Sequence, residues 1–580
     1  MAAEPVGRQK QSHAGNATYC GGMTTQKIID SPRTLVADAA RAAASIAADL
    51  TWVPNPGYFT RREPLATGRV ALLSGGGSGH EPLHAGFVGA GLLAGAVPGL
   101  VFTSPNALQI RAATAAVHAG GGVLHIVKNY TGDVVNFSIA ADFAADDGID
   151  VETVIVADDV ATESEDGPGR RGTAATIAVE KICGAAAERG DSLSDVAALG
   201  RRVADNARSM AVAFRACTVP GADRPSFDLP DGEIELGVGI HGERGTDRVA
   251  ALPAKELAAA LMDPILKSLS LADGGEVIVI VNGLGATHPL ELNVLFGNAA
   301  DYLKGRGIRV RRVLVGTFVT AFDMAGASIT LISSTDDMLE LWDAPTSAPG
   351  WPHAPSKEFS GLQDVADDVA ALNYTDETDA NPSVTSWATR FVEKVLGSVD
   401  ELTDLDRSAG DGDFGTNMRA ALDGVTIGAD DSPSAVFRRI ADGYLGSAGG
   451  TSGALFGVWF HQFDVALGSS GVTTDALADA ARDGMAAIVD LGGAAVGDKT
   501  MVDAIAPAVS ALESARAQPL AEALRSAAGA ARSGADSTSD LLGRRGRASY
   551  VGDAARGVVD PGALVVAWLF EEAAEAFGES

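Results

Sequence analysis

Three observations predict a multidomain chain, an α/β region followed by an all-α region. Short Val- and Ile-rich runs alternate with Ala-rich helical stretches from about Met23 to Pro345. Four prolines then fall within sixteen residues, Trp342 to Lys357. Beyond them, from about Glu358, strand-like runs nearly vanish. At 580 residues the chain also exceeds one ordinary core.

The apolar runs are Arg69 to Leu73, Val123 to Val127, Val151 to Val156, Ile234 to Ile240, Glu276 to Val281 and Val310 to Val315. Their length and β-branched content predict buried strands, and the helical stretches between them predict an α/β sheet. Polar or glycine-rich segments follow five of them: 74–80, 128–133, 157–159, 241–243 and 282–285. Ligands of open α/β sheets sit beyond the carboxyl ends of strands, so these segments predict one cleft. Gly75 to Gly79 let a small ligand approach the backbone, and His80 ends that run. Lys128 and Asp133 share the next segment, where the carboxylate can take a proton from a hydroxyl. His241, flanked by Gly239 and Gly242, is left accessible.

Proline can continue neither a helix nor a central strand. A Pro-rich linker is therefore expected over 346–360, between a first domain at 23–345 and a second at 361–580. Residues 1–22 are polar and lack the apolar stretch of a signal peptide. They read as a flexible extension, with Met23 a natural start.

In the second domain, helical periodicity covers Ser386 to Val399, Ser434 to Tyr444, Thr473 to Asp490, Met501 to Arg516, Leu520 to Ser533 and Gly562 to Phe577. The breaks between them carry the chemistry. Asp406, Asp411 and Asp413 are threaded with Gly410, Gly412 and Gly415. A glycine-permissive turn can fold the three carboxylates toward one point, where repulsion is costly without a cation. Hard oxygen ligands of this kind suit Mg²⁺. Gly446 to Gly453 offers backbone N–H groups and two hydroxyls before an apolar run that can open a helix, whose N-terminus favours phosphate. Gly497-Asp-Lys-Thr500 adds a lysine and a hydroxyl, and Arg547 and Asp560-Pro-Gly562 follow. Together these segments fit a Mg-nucleotide site.

The formal charge of −31, from 75 acids against 44 bases, disfavours nucleic acid and anionic membrane as partners. No apolar run is long enough to span a membrane. Cys20, Cys183 and Cys217 form neither a disulfide framework nor a metal-ligand spacing, which makes a reduced cytoplasm the simplest setting.

Six motifs carry a resemblance: 74–82 (Ser-Gly-Gly-Gly-Ser-Gly-His-Glu-Pro), 128–133, 239–243 (Gly-Ile-His-Gly-Glu), 410–413 (Gly-Asp-Gly-Asp), 497–501 and 546–550. From Met23 onward the chain resembles the ATP-dependent dihydroxyacetone (glycerone) kinases, in which a DhaK-type substrate-binding domain is fused to a DhaL-type nucleotide-binding domain. The resemblance implies a helical barrel for the second domain. It implies that His241 adds reversibly to the substrate ketone as a hemiaminal, and that Asp133 is the base toward the attacking hydroxyl. Gly77, Ser78, Gly79, His80 and Lys128 would line the substrate pocket, with His80 hydrogen-bonded to substrate. Asp406, Asp411 and Asp413 would hold Mg²⁺ against the ATP phosphates. Phe414, Gly415, Thr416, Asn417, Thr451, Ser452, Gly492, Met501, Arg547, Asp560, Pro561 and Gly562 match nucleotide-contacting positions. A homodimer is also implied.

Phe414 departs from the pattern, since the family usually has His there. The expected substrate is dihydroxyacetone. The motifs do not separate it from a four-carbon ketose such as erythrulose. A non-catalytic regulatory homologue is a third reading, opposed by the presence of His241, Asp133 and all three aspartates in one chain.

Overall fold

The computed structural model describes residues 27–580, apart from 164–168, 272–273, 354–357, 364–378, 546–548, 550–554 and 579–580. The expected extension at 1–22 lies outside the described residues. The chain divides into two compact units, Met1–Val365 and Ala366–Ser580. Among the described residues no helix is long and apolar enough to cross a membrane.

The first unit is α/β and holds two six-stranded sheets where the sequence suggested one. Its strands are β1 (Leu50–Val53), β2 (Tyr58–Arg61), β3 (Ala71–Ser78), β4 (Gly95–Val101), β5 (Val123–Lys128), β6 (Val151–Val156), β7 (Ala207–Arg215), β8 (Glu233–Leu236), β9 (Asp247–Ala250), β10 (Glu276–Gly283), β11 (Arg309–Gly316) and β12 (Ala325–Ser333). The first sheet runs β1-β2-β4-β3-β5-β6, with β4, β3, β5 and β6 parallel. The second runs β11-β10-β12-β7-β8-β9 and is mostly antiparallel. The unit's helices are α1 (Leu35–Ile46), α2 (Ala107–Val117), α3 (Thr131–Asp146), α4 (Ala175–Arg189), α5 (Leu193–Asp205), α6 (Ala254–Leu269), α7 (Pro289–Lys304) and α8 (Asp336–Asp343).

Two predicted strands have other limits. The first runs on through Ser78, so Gly75 to Gly77 lie inside β3 instead of forming a loop beyond it; Gly75 and Gly76 pair with β4, and Gly77 falls at a register shift. The strand predicted over 234–240 stops at Leu236, because Gly237 takes a left-handed φ of 76°. His241 therefore stands on a turn.

The Pro-rich segment is not a free linker where it is described. Trp342 and Trp351 are buried with ring centroids 5.0 Å apart, and Gly350 N–H donates to the Gly86 carbonyl at 2.7 Å. Phe359 stacks edge-on against Phe296 at 5.4 Å, and Glu358 pairs with Arg309 and Arg311. Apolar burial of the tryptophans outweighs the stiffness of the prolines, and the division falls later, between Val365 and Ala366.

The second unit is helical: α9 (Pro382–Gly397), α10 (Val399–Ala409), α11 (Phe414–Leu422), α12 (Pro433–Ser447), α13 (Gly450–Ser470), α14 (Thr474–Gly492), α15 (Val502–Ser514), α16 (Leu520–Ser537) and α17 (Pro561–Gly578). From α12 to α17 each helix packs on the next, α17 packs back on α9, and α9 reaches α12, so the helices close a ring. Its interior is aromatic, including Trp387, Phe437, Tyr444, Phe456, Trp459 and Phe460. Trp387 Nε1 donates to the Leu569 carbonyl at 2.7 Å and fastens α9 to α17.

Candidate active site

In the first unit the chemistry gathers at the ends of β3 and β5 and on the turn after β8. His80 is fully buried. Its Nδ1 lies 2.7 Å from the Thr320 carbonyl, which can only accept, so Nδ1 carries the proton. Nε2 is then an acceptor, and it is buried with no hydrogen-bond partner. Burial, then the neighbouring His241 and Lys128, hold His80 well below the usual imidazole range, so it stays neutral. The segment after β11 fixes this geometry: Thr320 Oγ1 and Phe322 N–H both donate to the Gly79 carbonyl, at 2.9 and 2.8 Å.

His241 packs against His80 (centroids 4.8 Å apart), edge-on to Tyr130 (4.2 Å) and edge-on to Phe102 (5.6 Å). Its Nδ1 lies 3.6 Å from Glu243 Oε1, and its backbone N–H donates to Glu243 Oε2 at 2.8 Å. Burial raises the Glu243 carboxyl, but the His241 pairing and the charge of Arg171 outweigh it and leave a net depression.

Lys128 ends β5, and Asp133 sits in the first turn of α3 rather than on a loop, where an acid is favoured. Lys128 Nζ stands 3.7 Å from Asp133 Oδ2 and donates to the Gly75 carbonyl at 3.2 Å. Asp133 Oδ2 is buried and accepts no hydrogen bond. Gly76 makes room for the pair, since a Cβ there would lie 2.2 Å from Lys128 Nζ. Ser78 spends its hydroxyl on the Gly99 carbonyl at 2.8 Å. Gly77 to Gly79 and Phe322 line an adjoining, largely apolar cavity.

In the second unit Asp406 lies on α10, so the three aspartates span a helix end, the turn 410–412 and the start of α11. The expected turn covers only its middle. Gly412, at φ 80°, permits that turn. Asp406, Asp411 and Asp413 each offer an oxygen within 4.8 Å of the others. Burial pushes the Asp406 carboxyl up; the Phe414 N–H opposes this at 3.0 Å, and the Asp411 and Asp413 charges add to it. A cation would relieve that repulsion, and an all-oxygen donor set fits Mg²⁺.

A cleft opens from these carboxylates, lined by Phe414, Thr451, Ser452, Gly492, Met501, Asp560, Pro561 and Gly562, all expected from the sequence. Thr451 and Ser452 stand in the first turn of α13, where unpaired N–H groups favour phosphate. Gly415 and Thr416 do not line the cleft, because Gly415 is buried against α10 and Thr416 faces outward. Asn417 does not line it either, but its amide steadies Asp413 Oδ1 at 3.1 Å. Arg547 lies outside the described residues.

Lys499 differs from its reading as a phosphate cation. Its Nζ is committed to the carbonyls of Thr538 (2.7 Å) and Val558 (2.6 Å). Phe414 puts its ring into the aromatic core, 6.4 Å from Phe456, and serves the site through its backbone N–H. Arg545 and the apolar wall of Leu455, Phe456 and Ile488 were missed. The helical period announces the wall as core but not as cleft. Thr320, Tyr130 and Glu243 were missed in the first unit, although Glu243 stands in the His-Gly-Glu motif.

Two compact units, one with paired imidazoles and a buried Lys–Asp pair and one with clustered carboxylates beside a helix N-terminus, define a kinase. The Dak1 domain matches residues 41–350 and the DAK2 domain residues 408–575, and the chain belongs to the dihydroxyacetone kinase family. It is 36% identical to the triokinase/FMN cyclase of Rattus norvegicus, over 94% of this chain and 98% of that protein. It is also 36% identical to the L-erythrulose 1-kinase of Mycolicibacterium smegmatis, over 94% and 99%. The crystal structure of the dihydroxyacetone kinase from C. freundii in complex with AMP-PNP and Mg²⁺ superposes with a TM-score of 0.62 at 31% identity, over 95% of this chain and 99% of that one.

Proposed function

We propose that this kinase phosphorylates a short ketose, dihydroxyacetone foremost, with the substrate held covalently on His241. The observation that carries this reading is the setting of His241: an imidazole walled by His80, Tyr130 and Phe102, with Glu243 at Nδ1. With Nδ1 beside a carboxylate, Nε2 is the nitrogen left to attack a carbonyl carbon. As the N–C bond forms, the carbonyl π electrons pass to oxygen, which takes up a proton from solvent water, and Glu243 accepts the Nδ1 proton and returns it to solvent. The product is a neutral hemiaminal. Glycerol has no carbonyl and forms none.

The unpartnered Nε2 of His80 accepts a hydrogen bond from a substrate hydroxyl, and Asp133 Oδ2 takes the proton of the attacking hydroxyl. Lys128, 3.7 Å away, steadies that carboxylate. The enzyme uses ATP and Mg²⁺. Asp406, Asp411 and Asp413 would hold the metal, and Thr451 and Ser452 the phosphates. The ion supplies neutralisation of phosphate charge, and the rest is positioning. We also infer a homodimer, which light scattering of the purified protein checks.

A four-carbon ketose is the second reading. It is favoured by the L-erythrulose 1-kinase relative and by a D-erythrulose kinase of the same organism, 35% identical over 88% of this chain. The hemiaminal chemistry is the same for both substrates. The test is ¹³C NMR of dihydroxyacetone labelled at its carbonyl carbon. Bound to the wild type it should lose its carbonyl resonance and gain a tetrahedral one, while the His241→Ala protein should leave it a ketone. An unaltered carbonyl on the wild type would sink the covalent role.

A further inference from the structure

Behind Asp133 runs a line of buried titratable groups that the reaction as described does not use. Lys128 Nζ donates to His84 Nε2 at 2.8 Å, and His84 Nδ1 lies 2.7 Å from Glu180 Oε1 and 3.0 Å from Ser74 Oγ. Asp133 comes from α3, Lys128 from β5, His84 from the segment after β3, and Glu180 from α4. Glu180 and Lys128 have no exposed surface, and Asp133 and His84 expose only 3% and 5%. A buried carboxylate costs several kcal/mol unless it is paired, and an apolar side chain of like volume usually costs less.

Hydrogen-bond logic fixes the state of this chain. An ammonium can only donate, so His84 Nε2 accepts from Lys128. His84 Nδ1 therefore carries the proton and donates it to Glu180. The Ser74 hydroxyl is spent on the Ile126 carbonyl at 2.7 Å and offers His84 only a lone pair. Glu180 is thus the group that selects the tautomer on which the Lys128 ammonium rests.

We propose that Glu180 is a positioning residue of phosphoryl transfer: through His84 and Lys128 it fixes where the ammonium stands beside Asp133, and so how readily Asp133 takes the substrate proton. This inference rests on the ketose-kinase reading. The titratable groups facing the line are Lys128, Asp133 and His80. Lys181, next to Glu180 on α4, turns instead to the Leu341 carbonyl at 2.9 Å. Burial pushes the Glu180 carboxyl up to about 8, with Ser74 and Lys128 opposing, and it holds His84 well below the usual imidazole range. Once protonated, Glu180 can present a proton to Nδ1, which moves the His84 proton to Nε2 and turns a donor toward the ammonium.

The test pairs single-turnover phosphorylation of dihydroxyacetone by the full chain with Mg-ATP, over about pH 6 to 9, with ¹⁵N NMR of His84 in the substrate-free protein. The wild type should show a rate that rises with pH through a limb near 8, and Nδ1–H on His84 at pH values above that limb. Glu180→Gln keeps an acceptor for Nδ1–H but cannot titrate. It should lose that limb and on the order of tenfold in kcat, part of what a general base contributes, with KM for ketose and ATP nearly unchanged. The same limb in Glu180→Gln, or a proton on Nε2 of wild-type His84 above the limb, at about pH 9, would overturn the proposal. Should Glu180→Gln not fold, a wild-type profile without the limb overturns it too. A wild type that phosphorylates no ketose refutes the ketose-kinase reading instead, and the His84 spectrum still decides what Glu180 holds.

Discussion

Gly76 shows how tightly single residues are constrained beside Lys128 and the proposed base, Asp133. A Cβ at that position would meet Lys128 Nζ, with Asp133 Oδ2 at 3.4 Å. Gly76→Ala must displace the ammonium, at about 1–3 kcal/mol of overpacking. We expect a lower melting temperature and a fall in kcat together, checked by calorimetry and steady-state kinetics. Asp133→Asn keeps the shape but cannot take a proton, so kcat should drop by about 10²–10⁴-fold while the thermal midpoint changes little. Turnover within threefold of wild type would remove Asp133 from the base role. His241, His80, Lys128, Asp133 and the three aspartates were legible as residues because glycines and motif order mark them. His84 and Glu180 were not, since Glu180 lies in an Ala-rich helix whose period predicts only burial. Nothing in their spacing, 96 residues apart, announces a contact.

Lys499 acts at the scale of the element. Its ammonium joins the entry of α15 to carbonyls at the end of α16 and ahead of α17. Lys499→Met leaves both carbonyls unpaired, at a cost of about 1–3 kcal/mol, and should lower the melting temperature of the second unit. Strand β5 carries a different device. Burial alone drives the His125 ring on β5 down to about 3, and its Nε2 lies 2.9 Å from Thr114 Oγ1. The unfolded chain would protonate His125 near 6.5. Its contribution is therefore fully present above that pH and is lost as pH falls toward 3. The gap in melting temperature between wild type and His125→Gln should narrow from pH 7.5 to pH 5, and a constant gap would contradict the neutral, buried assignment. The helices of the second unit were legible from their 3.6 period. The second sheet was legible only through β8, β10 and β11, because β7 and β12 dilute their apolar residues with Ala, Gly and Ser; in the first sheet β4, broken by Pro98 and two glycines, escaped for the same reason. Such strands pair by close backbone approach and carry little of the Val and Ile signal that marks β10.

Over the whole molecule, the charge of −31 repels the anions a kinase must bind. The second unit answers with a helix N-terminus and a carboxylate trio suited to a cation, and the first with buried, paired cations. The two compact units and their order were legible, and the position of their division was not, because two tryptophans pull the Pro-rich segment onto the first core. The central claim is ATP-dependent phosphorylation of a ketose selected through its carbonyl. A coupled assay of ADP release with Mg-ATP, over dihydroxyacetone, both erythrulose enantiomers, glyceraldehyde and glycerol, tests it most directly. The account predicts turnover with at least one ketose and none with glycerol. Glycerol turned over as well as the ketoses, or no turnover with any of them, would contradict it.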